Sequence, residues 1–385
     1  GSVFGCGNNN SGLLGTGQTG QVRRGLTWMQ SPDGSRISGV SQVATQSGQS
    51  YVLMNDGSIL AYGSNINGAL GYGVEEYLFN GSLEPSGVSV INANGQPLTG
   101  VVQVGAGLSF GLAITNGGQV LSWGSNDNGQ LGNGTEEQRA YAAPVIRAAA
   151  VLNNARQVAA GNGHALALLE DGTVLAWGRN DSGQLGNGRL VKKVLEPEFV
   201  LAEEDGNPLS GVVAIDAFSG LSMALLEDGR VLTWGDGRYG QLGDGTSGER
   251  NRSRYPREVT GIRNAIAIAA GRSHALALLD DGTVKSWGIN YIGMLGNGET
   301  GLDEQGDEIF EASAVTVLSA EGDPLSRVIA IAAGSSNSFA LLDDGTVLGW
   351  GQSLYGQLGS VPDDDTTSEA LPVRVIGPDT VTEMN

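Results

Sequence analysis

Short apolar runs recur along this chain, each broken by a turn rich in Gly, and none keeps a helical period for three turns. In HALALLEDGTVLAWG, from His164 to Gly178, two apolar runs flank Asp-Gly, the strongest short-range signal for a β-hairpin. An alternating run such as RQVAAG (Arg156 to Gly161) precedes that hairpin, and a run such as APVIRA or LPVRV follows it. The pattern predicts four short strands per period, designated a, b, c and d, with Gly at the turns.

The period is marked by a phrase: an aromatic-Gly pair, four further residues, then Gly-x-Leu-Gly. It reads WGSNDNGQLGNG from Trp123, WGRNDSGQLGNG from Trp177 and WGDGRYGQLGDG from Trp234. It recurs as WGINYIGMLGNG from Trp287 and WGQSLYGQLGS from Trp350, with degenerate copies at Tyr62 and Cys6. The seven copies are spaced by 56, 61, 54, 57, 53 and 63 residues. Repetition at such a period indicates a repeat architecture, and four antiparallel strands per repeat indicate a β-propeller, which protects its sheet edges by radial repetition. The first copy begins inside a c strand (Val3 to Cys6), and the last d strand is Pro372 to Ile376. Strands c and d therefore occur seven times, and a and b six times. One blade is expected to lack its a–b pair, whether completed by more of the protein, left half-formed, or filled by another chain.

The phrase with Asp-Gly, x-Trp-Gly and Gly-Gln-Leu-Gly resembles the repeat of the regulator of chromosome condensation family, in a bacterial-like form, over essentially the whole chain. The resemblance implies a single all-β domain over 1–385, a seven-bladed β-propeller of four-stranded antiparallel blades with one blade incomplete. It implies less about function, because relatives include an exchange factor for a small GTPase, a plant UV-B photoreceptor, and bacterial secreted inhibitors and binding proteins. The photoreceptor uses Trp beside Arg just after the Ala-Ala-Gly run. Here that register holds GNGH, GRSH, GLSF and GSSN, so sensing by that route is not expected.

Composition narrows the partners. Gly accounts for 63 of 385 residues and Pro for 11, which suits turns and not a collagenous or Pro-rich chain. The net charge of −20 disfavours nucleic acid and anionic membranes, and no apolar run is long enough to span a bilayer. The first residues show no signal-peptide pattern. Cys6 is the only cysteine, so no internal disulfide or Cys-based metal cluster is expected.

Candidate chemistry mostly dissolves into the repeat. One aromatic per blade fills the gap between sheets, and Cys6 in that register reads as a small apolar residue. His164 and His274 share a register with Gln49, Phe110, Leu221 and Asn337, so they are read as bonding a neighbouring strand. Asp56, Asp171, Asp228, Asp281 and Asp344 are turn residues. The clusters Glu203–Asp205, Asp303–Glu311 and Asp363–Asp365 lack the order of a calcium loop. The sequons at Asn9, Asn80, Asn133, Asn180 and Asn251 fall in repeat turns. No G-x-S-x-G, P-loop or H-E-x-x-H occurs.

Recognition is expected in the variable stretches after each Gly-x-Leu-Gly, at 74–84, 135–143, 189–199, 246–258, 299–312 and 360–371. Two of these gather positive charge. One carries Arg189, Lys192 and Lys193; the other carries Arg250, Arg252, Arg254 and Arg257 around Tyr255, and residues 189–272 hold 11 of the 21 basic side chains. Arg with Tyr suits an interface anchor, and both stretches are expected to share one surface. The expected function is non-enzymatic binding of a protein or acidic surface ligand, without a cofactor, at an extracellular or cell-surface location. Self-association through the incomplete blade is a further expectation. The alternatives are a lyase or hydrolase with a central-channel site, and exchange of guanine nucleotide on a small GTPase.

Overall fold

The computed structural model describes residues 1–74, 82–302, 306, 308–359 and 367–376. Within it the chain forms two compact units. One comprises Gly1–Arg23, Thr27–Asp181 and Leu190–Val200; the other comprises Arg24–Leu26, Ser182–Arg189 and Leu201–Asn385.

The first unit opens with a two-stranded ribbon, β1 (Phe4–Asn8) and β2 (Val22–Trp28). Its first blade is β3 (Val40–Gln46), β4 (Gln49–Met54), β5 (Ile59–Ser64) and β6 (Leu83–Ser89). The second is β7 (Val101–Gly107), β8 (Phe110–Thr115), β9 (Val120–Gly124) and β10 (Arg139–Pro144), followed by a small hairpin, β11 (Ile146–Arg147) and β12 (Ala150–Val151). The third is β13 (Ala155–Ala160), β14 (His164–Leu169), β15 (Val174–Arg179) and β16 (Lys193–Phe199).

The second unit holds three more blades of the same order. These are β17 (Val212–Phe218), β18 (Leu221–Leu226), β19 (Val231–Asp236) and β20 (Arg252–Glu258); β21 (Ala265–Ala270), β22 (His274–Leu279), β23 (Val284–Ile289) and β24 (Phe310–Thr316); and β25 (Val328–Ala333), β26 (Asn337–Leu342), β27 (Val347–Gln352) and β28 (Ser368–Arg374). The fold is an all-β propeller of four-stranded antiparallel blades. The described residues contain six such blades rather than the seven expected, and the first copy of the phrase lies in the β1–β2 ribbon. The one helix among the described residues is a single 3-10 turn, Ile66–Gly68.

Three sequence features build each blade. Asp at the b–c turn accepts hydrogen bonds from the residue two ahead: Asp171 Oδ1 takes the Thr173 main-chain N–H at 2.9 Å and its hydroxyl at 2.6 Å. These bonds hold the Asp171 carboxyl below the usual range. The c–d pairing is bulged at every Trp-Gly, as between Ala176 and Gly178. Gly178 sits at φ +97°, and a Cβ there would lie 2.4 Å from the Gly163 carbonyl oxygen.

The cores lie between consecutive blades. Phe110, Leu112, Leu131, Leu175 and Trp177 pack between the second and third; Met223, Leu242, Ile262, Leu279 and Trp287 pack between the fourth and fifth. Trp123, Trp177, Trp234, Trp287 and Trp350 are fully buried, as the core reading of the phrase expected. Each indole N–H donates to the carbonyl of the x residue in the preceding Gly-x-Leu-Gly: Ala69, Gln130, Gln184, Gln241 and Met294, at 2.8–3.0 Å. The Asn three residues after the aromatic closes the phrase on itself. Asn65, Asn126 and Asn290 each accept from the N–H of the phrase leucine. Asn9 and Asn180 are fully buried at this position, so their sequons are structural.

Candidate binding surface

The residues expected to gather on recognition loops lie mainly on strands. Arg252, Arg254, Tyr255 and Arg257 belong to β20, and Lys193 belongs to β16; both are edge strands of their blades. An edge strand needs one ladder of main-chain bonds and no apolar period, so the polar sequence RSRYPRE pairs with β19 through Leu232–Glu258 and Gly235–Ser253. Lys192 and Lys193 belong to the first unit, and Arg189 and Arg250 to Arg257 to the second.

Three of these seven cations are engaged by acids in ion pairs. Arg257 bonds Asp244 at 2.6 Å, Arg254 reaches Glu204 at 3.5 Å, and Lys193 pairs with Glu136. Lys193 also donates to the Asp127 carbonyl. Tyr255 is half-buried over Gly188, where a Cβ would approach its hydroxyl to 2.6 Å. The Gly188 N–H donates to the Arg254 carbonyl at 3.1 Å. Arg250 is exposed and makes no ion pair among the described residues. The stretches at 75–81 and 360–366, the cluster Asp363–Asp365, most of 303–307 and the sequon Asn80 lie outside the described residues.

His274 behaves as its register predicted. His274 is buried in the fifth blade, with Nε2 3.0 Å from the Ser338 hydroxyl of the sixth. That hydroxyl donates to the Met294 carbonyl, so its oxygen accepts and His274 carries its proton on Nε2. Burial lowers the His274 pKa to about 4, opposed by the Asn337 main chain. His164 is buried in the third blade; burial and then the Arg179 charge lower its pKa to about 3, with Asp181 opposing. Burial pushes the Cys6 thiol up to about 11, so it is not a reactive thiolate at neutral pH.

The turns at one end of the second unit's blades form a site that sequence reasoning passed over. The a–b turns of the fourth, fifth and sixth blades, with the starts of the c–d connections of the fourth and fifth, enclose a cavity of about 380 Å³. Its charged groups are Arg238, Arg272, Asp236 and Glu308. Arg238 is held by Asp236, Nη2 to Oδ2 at 2.8 Å. The Arg272 guanidinium makes no hydrogen bond or ion pair among the described residues, while its main-chain N–H reaches Gly334 of the sixth blade. Tyr239 and Tyr291 are half-buried walls, and Ile289 and Met294 are buried beneath. The signal lies in the register that follows the Ala-Ala-Gly run: the residue two before strand b is Ser47, Leu108, Asn162, Ser219 and Ser335 in five blades, and Arg272 in the fifth.

The pattern of the RCC1-like domain matches residues 2–384. The chain belongs to the RCC1-like domain family. Human E3 ubiquitin-protein ligase HERC2 is 33% identical to this chain over 264 residues, 65% of this chain. The chain spans only 5% of HERC2's length. The ultraviolet-B receptor UVR8 of Arabidopsis thaliana is 29% identical over 340 residues, 88% of this chain and 70% of that protein. Yeast RCC1 (Prp20), in its crystal structure bound to Kap60, superposes with a TM-score of 0.77 at 23% identity, covering 98% of this chain and 84% of that one. That likeness supports the propeller fold.

Proposed function

We propose that this chain is a non-enzymatic binding module that holds a protein partner on the turns at the ends of its blades. The observation that carries this reading is the division of labour within each repeat. Trp and Gly of the phrase are spent on joining blades and Asn on closing the phrase, whereas the end turns of the second unit vary and present unengaged polar groups around one cavity. Solved structures of the yeast relative are described with protein partners, Kap60 in one case and Gsp1p and histones in another, which supports protein as the partner class. The edge strand β20 is a second contact in this proposal, with Arg250, Arg252, Arg254, Tyr255 and Arg257 flanked by Arg189; Lys192 and Lys193 are the corresponding group of the first unit.

We also propose that the β1–β2 ribbon is the c–d half of a seventh blade and that 1–385 is one propeller domain. The bulge of β1–β2 between Gly5 and Gly7 matches the c–d bulge of the complete blades, and the family match over 2–384 supports the single domain.

The test is affinity capture from the native source on the immobilised full chain, repeated with the Arg238→Ala/Arg272→Ala variant. The reading expects a saturably retained protein whose retention drops with that variant. Retention of no protein, or turnover of a small-molecule substrate by the purified chain, contradicts it.

A further inference from the structure

We infer that the cavity of the second unit is a carboxylate pocket, built to receive a glutamate or aspartate side chain presented by a protein loop. This rests on the reading of the chain as a protein-binding module and adds what the partner must offer. Arg272 is the group that selects the ligand. It is the only charged residue at its turn position in six blades, and its guanidinium is unengaged among the described residues. Arg238 is already neutralised by Asp236. An Arg fork offers a carboxylate two parallel N–H bonds. The side-chain hydroxyls of Ser273, Ser335 and Ser336 line the same cavity and make no hydrogen bond among the described residues, so they are available as further donors.

The charge of the ligand follows from the lining. Arg238 and Arg272 are balanced by Asp236 and Glu308, on a chain of net charge −20. One further negative charge can be met by Arg272, whereas a phosphoryl dianion or a sulfated chain would face both acids and the field of the whole molecule. The volume of about 380 Å³ lies at the small end for ligand sites and suits a side chain with its adjoining backbone. Tyr239 and Tyr291 supply walls for the methylenes of that side chain, in the manner of interface anchors.

The experiment titrates the full chain with acetyl-Gly-Glu-Gly-amide and with acetyl-Gly-Gln-Gly-amide, following backbone amide shifts by NMR. Saturable shifts at Ser273 and Ser335 are expected, with the Glu peptide at least about tenfold tighter than the Gln peptide, as for a lost hydrogen bond to a charged group. Arg272→Gln should abolish that preference with an otherwise unchanged amide spectrum, and Arg374→Gln, at an exposed position outside the cavity, should leave it intact. Equal binding of the two peptides, or an undiminished preference in Arg272→Gln, overturns the inference. So does tighter binding of a phosphoserine peptide or a heparin disaccharide at the same amides. If the Glu peptide fails while a captured protein is retained through other surfaces, the carboxylate pocket falls and the binding-module reading stands. If the Glu peptide binds and no protein is captured, the reverse holds.

Discussion

Trp177 donates its indole N–H to the main-chain oxygen of Gln130 over 2.9 Å, joining the third blade to the second. The bond explains why the aromatic and Gly-x-Leu-Gly recur together: the indole of one repeat needs the phrase of the repeat before it. Gly132 belongs to the same contact, since a Cβ there would lie 2.6 Å from Trp177 Nε1.

Trp177→Ala should therefore cost about 3–5 kcal/mol from the cavity it leaves. Trp177→Phe should cost less, on the order of 1–3 kcal/mol, because it mainly strands the buried Gln130 carbonyl. Denaturant unfolding of the two variants checks the order; a Phe variant as unstable as the Ala variant would show that the hydrogen bond, and not the volume, dominates.

Much of the fold was legible for this reason. Strands a, b and c are flanked by glycines and carry apolar side chains that the interblade cores require, as in HALALL of β14, buried at every position. The d strands were misplaced because β20 is an edge with an irregular, largely polar sequence, RSRYPRE, only one of whose residues is buried. Its residues look like a loop until the ladder to β19 is seen. The positive sector was legible as charge, but its acids are distant in sequence, as Glu204 is from Arg254. The cavity was hidden because its groups come from three repeats, although Arg272 breaks its register in plain view.

The paired cations of β20 should differ in worth. Asp244 has a side chain only 10% exposed, whereas Glu204 is 80% exposed. Arg257→Ser should destabilise by about 1–2 kcal/mol, since it leaves a nearly buried carboxylate unpaired, and Arg254→Ser by less than about 0.5 kcal/mol. Thermal melts at low and high salt would measure both.

His274 gives stability that acid removes. Its pKa is lowered to about 4 in the fold and is near 6.5 when unfolded. The unfolded chain therefore takes up the proton first, and the contribution present above pH 6.5 is lost as pH falls towards 4. His274→Asn, which installs the residue found at 337, should flatten that part of the stability profile.

Asp216 acts in the opposite sense. It stands where the other blades carry Ala44, Gly105, Ala159, Ala269 and Ala332, and its carboxylate accepts the N–H groups of Ala217 and Ala270, each at 2.8 Å. Burial raises its pKa to about 6 despite those bonds. A raised carboxyl favours the folded state at low pH, and that contribution is lost as pH rises through about 6. Asp216→Ala should remove this decline, which chemical denaturation between pH 4 and pH 7.5 would reveal.

The most direct test of the binding-surface account is hydrogen–deuterium exchange of the full chain, alone and with the protein captured on it. The account predicts slowed exchange at the Arg272–Ser273 and Ser335–Ser336 turns, with the interblade strands unchanged. Protection confined to other surfaces, with those two turns exchanging as freely as in the unbound chain, would contradict it.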